Sequence, residues 1–187
     1  MRFSIFVTLA ALGVSTACNF ISGGNSLAKT IMCFSLKALA VNKTAEALGK
    51  DGYGPWEEII TGLNDISSAI ETAVNATLTA PLSTKYTGTD ALNVAAAYFY
   101  WGSVVIELMK RLTDKAGDVD NCEDIKRHMA WALSDLGLVE EMLSFGLHDM
   151  VDEEEANATI RRTHNEIQRI EDAAVLMDRG GVTGMTE

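Results

Sequence analysis

The chain has 187 residues, 48% of them hydrophobic and 22% charged, with a formal charge of −11 and a pI near 4.7. This composition excludes a disordered chain and suits one domain with a sizeable core of its own. The acidity excludes function through neutralising nucleic-acid phosphates or through attraction to an anionic membrane surface.

The N-terminus sets the compartment. Arg2 precedes an apolar run from Phe3 to Val14, and Ser15, Thr16 and Ala17 follow. A basic start, a short apolar stretch and small residues read as a secretory signal peptide over residues 1–17, since the apolar part is too short to span a bilayer. Cleavage is expected after Ala17, with Cys18 as the alternative. The stretch "STAC" also loosely matches a bacterial lipoprotein box, but Ser15 stands where a leucine is usual. Three N-glycosylation sequons weigh against that reading: Asn42-Lys43-Thr44, Asn75-Ala76-Thr77 and Asn157-Ala158-Thr159. Behind a signal peptide they point to a eukaryotic secreted glycoprotein. In an oxidising compartment the remaining Cys33 and Cys122 are expected to pair. The bridge would close a loop of about 90 residues and contribute up to about 4 kcal/mol in the chain-entropy picture. Two buried free thiols are the alternative.

Helical periodicity follows for most of the chain. Leu27, Ile31, Phe34, Ala38, Val41, Ala45 and Leu48 recur at steps of three and four, so a helix is expected from Ser26 to about Leu48. Gly49 and Gly52-Tyr53-Gly54 break it. Pro55 suits the first turn of a second helix, with Trp56, Ile59, Ile60, Leu63, Ile66, Ile70 and Val74 on one stripe to about Leu78. Thr79-Ala80-Pro81 stops that helix, and residues 79–88 form the longest loop. Thr89 or Asp90 is expected to cap a third helix reaching Lys115. After Ala116-Gly117-Asp118, Asp120 and Glu123 stand at capping-box spacing before a fourth helix to about Met150. Its stripe is Ile125, Met129, Ala132, Leu133, Leu136, Val139, Leu143 and Leu147. Asp152 is expected to cap a fifth helix, whose early Glu153, Glu154 and Glu155 complement the helix dipole. Its stripe includes Ala156, Ile160, Thr163, Ile167, Ile170, Ala174 and Met177. The expected architecture is all-α, a single-domain bundle of about five amphipathic helices over residues 18–178, with a flexible C-terminal tail at 179–187.

The third helix is unusual. "AAAYFYWGSVVIEL", residues 95–108, has almost no polar side chain. It nearly reaches spanning length, but it contains Glu107 and lies between clearly amphipathic helices. A helix that is apolar all round is one buried on most sides, so no transmembrane segment is expected. Ala95, Ala96, Ala97 and Gly102 allow close approach of neighbours. Large rings beside small residues leave two readings open, a hollow core and a filled one. The candidate pocket lining is Phe99, Trp101, Val105 and Met109 from the third helix, with Met129, Leu133 and Leu136 from the fourth. The 8 methionines, among them Met109, Met129, Met142, Met150 and Met177, suit an adaptable apolar site and equally an ordinary core.

The search for catalytic chemistry is negative. The 3 histidines are His128, His148 and His164, and the residues three before them are Ile125, Phe145 and Arg161. The Glu-x-x-His pair of di-iron bundles is therefore absent. There is no Cys-x-x-Cys, no zinc-binding His-Glu-x-x-His, no Gly-x-Ser-x-Gly elbow and no phosphate-binding glycine loop. His148 beside Asp149 reads as a helix-end histidine. Residues Asp152 to Glu155 lack the alternating ligands of a calcium loop. No catalytic residue, metal or cofactor is expected.

Four stretches, "GLNDISSAIETAVNA", "VVIELMKRLTDKAGDV", "ALSDLGLVEEMLSFGL" and "IQRIEDAAVLM", resemble helices of the fungal hydrophobic surface-binding protein A family, the cell-wall galactomannoproteins. The similarity runs from about Gly54 to Met177. It differs in an additional N-terminal helix bearing Cys33, in Cys122, and in lacking a Ser/Thr-rich tail. The resemblance implies a secreted or cell-wall-associated helical protein that binds hydrophobic surfaces or lipids such as fatty acids, with no catalytic residues. The rival readings are an effector-type protein meeting a host or cell-wall component through its surface, with exposed Tyr98 and Tyr100 or the acidic last helix as contacts, and an enzyme whose site is assembled from distant residues.

Overall fold

The structure is a computed structural model and describes residues 26–48, 54–78, 85–117 and 123–180. The expected signal peptide, Cys18, the expected break at Gly49–Tyr53, Asp120, Cys122 and the residues after Gly180 lie outside the described residues. Among the described residues the chain forms five helices: α1 (Ser26–Ala45), α2 (Trp56–Leu78), α3 (Gly88–Gly117), α4 (Glu123–Met150) and α5 (Glu154–Gly180). Among the described residues there is no strand, only one isolated bridge between Tyr86 and Val151. The all-α expectation holds.

The helix ends follow from local chemistry. α1 stops three residues before Leu48 because its last turn tightens, with Leu48 N–H donating to the Ala45 carbonyl at 3.2 Å. The Leu48 carbonyl is then capped by Lys115 Nζ at 3.1 Å, a cation meeting the negative end of a helix. Pro55 precedes α2 and its carbonyl accepts from Ile59 N at 3.1 Å. α3 starts earlier than Thr89 or Asp90 would set. The Thr87 carbonyl accepts from Ala91 N at 3.4 Å, and Gly88 takes φ +54°, a left-handed backbone that costs glycine nothing. Glu153 rather than Asp152 supplies the carbonyl that opens α5, accepting from Asn157 N at 2.9 Å. Asp152 N–H instead donates to the Tyr86 carbonyl at 2.9 Å.

The packed pairs are α1 with α3, α3 with α5, α5 with α4, α4 with α2, and α2 with α1. These contacts close a ring. Each helix leans on two neighbours and turns one face to a common lumen. α3 and α4 are consecutive in sequence, yet they face each other across that lumen. α3 and α5 approach closely. A Cβ at Gly102 would sit 2.2 Å from Thr163 Cγ2, so only glycine lets these helices pack at this spacing. The lumen is filled by apolar side chains, with Trp101 and Tyr98 the largest that are fully buried. Phe34 of α1 meets Trp101 edge to face, with centroids 6.1 Å apart.

α3 is also the one helix among the described residues long and apolar enough to cross a bilayer, but 56% of its most apolar stretch is buried inside the ring. Its apolar character is accounted for by its packing against α1 and α5 and by the face it turns to the lumen.

Candidate functional site

The lumen draws on one stripe from each helix. On α3 the inward stripe is Val94, Tyr98, Trp101, Val105, Leu108, Met109 and Leu112, all buried. Trp101, Val105 and Met109 therefore belong to the lumen, as do Met129, Leu133 and Leu136 of α4. Phe99 does not. It lies one residue, or 100°, past Tyr98 and is 54% exposed. Tyr98, expected at the surface, is fully buried, whereas Tyr100 is exposed. α3 and α4 run antiparallel, as the pairings of Tyr86 with Val151 and of Tyr98 with Glu140 require. In that register Val105 stands level with Leu133, and Met109 with Met129.

Open space is small and lies elsewhere. An apolar pocket between α1, α2 and α4 is lined by Leu27, Phe34, Val74, Leu143, Leu147 and Met150, among others, and holds about 10 Å³. That is room for about one water molecule. None of the residues expected to line a pocket borders it.

One polar cluster interrupts this apolar interior. Glu140 of α4 is fully buried. Its Oε1 accepts a short hydrogen bond from the Tyr98 hydroxyl of α3, and its Oε2 lies 3.0 Å from His164 Nδ1 of α5. The Tyr98–Glu140 bond thus crosses the lumen between helices that are not ring neighbours. Burial, then the Glu140 charge, pushes the Tyr98 phenol far above its ordinary range, so it stays protonated and donates. Ser144, one turn beyond Glu140, also hydrogen-bonds the Tyr98 side chain. The His164 pKa is raised above 6.5 chiefly by its hydrogen bond to Glu140; burial opposes this and the Glu140, Glu141 and Glu171 charges assist. Phe145 lies against the imidazole, with centroids 6.2 Å apart.

The sequence carried a signal for Glu140. It is four residues after Leu136, three before Leu143 and seven before Leu147, a core position on a helix. In the run Val139-Glu140-Glu141-Met142 the paired acids resemble a solvated face, and only the spacing separates the buried one. Among the described residues, three side-chain polar atoms are buried without a hydrogen-bond partner: Trp101 Nε1, Ser67 Oγ and Asn42 Oδ1.

The other expected sites are placed as follows. Cys33 is disulfide-bonded; Cys122 lies outside the described residues. Asn75 is exposed on α2. Asn42 is only 6% exposed. Asn157 is held at the α4–α5 corner, where Nδ2 donates to the Val151 carbonyl at 2.7 Å and Oδ1 accepts from His148 at 2.9 Å. Among the described residues, no three His, Cys, Asp or Glu side chains are grouped to hold a metal ion.

No protein-family profile matches the chain, and no curated protein sequence matches it. Among solved structures, the chain is similar to AfMp4p, an Aspergillus mannoprotein crystallised in complex with palmitic acid. The two share 13% sequence identity and a TM-score of 0.68, over 81% of this chain and 96% of that one. At that identity the likeness is one of fold: five helices of this chain follow the path of a protein that was crystallised holding a fatty acid.

Proposed function

We propose that this protein is a secreted, non-catalytic binder of lipids, with the ring lumen as the site. The observation that carries this reading is the closed five-helix ring around an apolar interior, in the fold of a protein crystallised with palmitic acid. Trp101, Val105, Met109, Met129, Leu133 and Leu136 would form the walls, and burial of alkyl surface at about 25 cal/mol per Å² would drive binding. Helices arranged in a ring can move apart without breaking a central helix, once the Tyr98–Glu140 bond across the lumen is given up. The lumen would therefore admit a chain by separation of helices, starting from the small pocket beside Phe34 and Leu143. In this reading residues 1–17 are removed on secretion, Cys33 pairs with Cys122, and the exposed Asn75 is the sequon best placed for a glycan.

A second reading is favoured by one observation. Trp131, Leu138, Met142 and Phe145 form an exposed apolar stripe along the outside of α4. Such a stripe suits contact with a hydrophobic surface or with a host or cell-wall protein.

Native mass spectrometry of the protein from a eukaryotic secretion host, after glycan removal, tests the first reading. A discrete added mass, released by organic solvent and identified as a lipid, is expected. A clean unliganded mass, unchanged after incubation with a lipid mixture, overturns the lumen as a binding site and leaves the outer stripe.

A further inference from the structure

We propose that Glu140, Tyr98 and Trp101 form the polar end of the lumen and select lipids with a hydroxyl head group over free fatty acids. The proposal rests on the lumen being the lipid site and names the chemistry of its ligand.

Glu140 occupies a core position on α4, on the same face as Leu143 and Leu147, which line the apolar pocket. The carboxylate therefore lies one helical turn from that pocket's wall. Each of its oxygens holds one donor, Tyr98 Oη and His164 Nδ1. An ionised carboxylate has about four lone-pair positions, so Glu140 remains an acceptor in need of donors. The Tyr98 phenol is a hydroxyl on an apolar body, reaching across the lumen. A long-chain alcohol offers the same group: its hydroxyl can donate to Glu140 while its oxygen accepts from the displaced Tyr98 phenol.

Trp101 adds a second requirement. Its indole N–H is fully buried and has no acceptor, and it stands three residues, one helical turn, from Tyr98 on the same face of α3. A ligand hydroxyl both donates and accepts, so it carries the complement of each group. A fatty-acid carboxylate accepts only. At this level it would place a second negative charge near Glu140 in a low-dielectric interior, where like charges repel strongly. His164 Nδ1, the other partner of Glu140, is already committed to Oε2. A protonated amine donates to Glu140 but leaves the Trp101 N–H unanswered.

The test is competitive binding of hexadecan-1-ol, hexadecylamine and palmitate, delivered from cyclodextrin, to the full secreted chain and to Glu140→Gln and Tyr98→Phe. Circular dichroism confirms the helical fold of each variant. Hexadecan-1-ol is expected to bind about tenfold more tightly than palmitate, the worth of a hydrogen bond to a charged group. Glu140→Gln is expected to erase most of that preference, and Tyr98→Phe to enlarge it by removing the internal competitor. If Glu140→Gln does not fold, Tyr98→Phe alone decides. Palmitate binding as tightly as the alcohol, or a preference that neither variant changes, overturns the proposal while the lipid reading stands. Amine binding above alcohol overturns the role of Trp101. Binding of none of the three overturns both the proposal and the lipid reading.

Discussion

The lumen is built in two ways at two levels. Around Tyr98, Glu140 and His164, three helices are joined by hydrogen bonds through a buried carboxylate. Two turns further along α3, Val105 is level with Leu133 and then Met109 with Met129, and these facing side chains are apolar. The apolar level gains from burial, which is non-directional and tolerates sliding or exchange of side chains. The polar level is directional. It fixes which residue of α3 stands opposite which residue of α4, although these helices do not pack side by side. Burial holds the ring together, and the hydrogen-bonded cluster sets its register across the lumen.

Substitution separates the two levels. Trp101→Ala is expected to cost about 3–5 kcal/mol in urea unfolding, the scale for losing a buried indole. If the lumen binds lipid, ligand affinity should fall by more than the fold does. Glu140→Ala is expected to cost about 3 kcal/mol, because it strands the Tyr98 hydroxyl and the His164 N–H. Tyr98→Phe combined with Glu140→Leu should cost less than the sum of the single changes, by about 1–3 kcal/mol, since the pair is then removed together. Additive costs would show that the two side chains do not act as a unit.

The polar level also titrates. The folded pKa of His164 is raised above 6.5, so the folded state binds this proton more tightly than the unfolded chain. Its contribution is complete below about pH 6.5 and is lost as pH rises through the raised folded value. Unfolding midpoints of the wild type should therefore drop as pH rises above about 6.5, and His164→Gln should flatten that drop. An unchanged slope would remove Glu140–His164 as its source. The smallest effect is expected outside the ring. Trp131 is 59% exposed, and Trp131→Ser should change stability by no more than about 0.5 kcal/mol.

Much of this fold was legible in the residues. The apolar stripes at steps of three and four, Pro55, and the glycines between segments mark five helices, because helix periodicity is a local property. The near-continuous apolar run of α3 marks a helix buried in the ring. The order of the ring was not legible, since it depends on which stripes meet in space. The same limit applied to the site. Phe99 and Tyr98 are adjacent rings, and one helical step of 100° decides which is buried. Glu140 stands in an acidic pair, and its burial depends on Tyr98 and His164, 42 and 24 residues away. Long-range partners of this kind leave no local pattern. The buried Asn42 teaches the same lesson for a sequon, whose three residues do not report packing.

Photolabelling with a palmitate analogue bearing a diazirine near the end of its chain would locate the bound lipid most directly. After ultraviolet exposure and peptide mapping, label on lumen residues of α3 and α4, among them Val105, Leu133 and Leu136, is the expected result. Label confined to the outer stripe at Trp131, Leu138, Met142 and Phe145 would contradict a lipid site in the lumen and assign binding to the surface of α4.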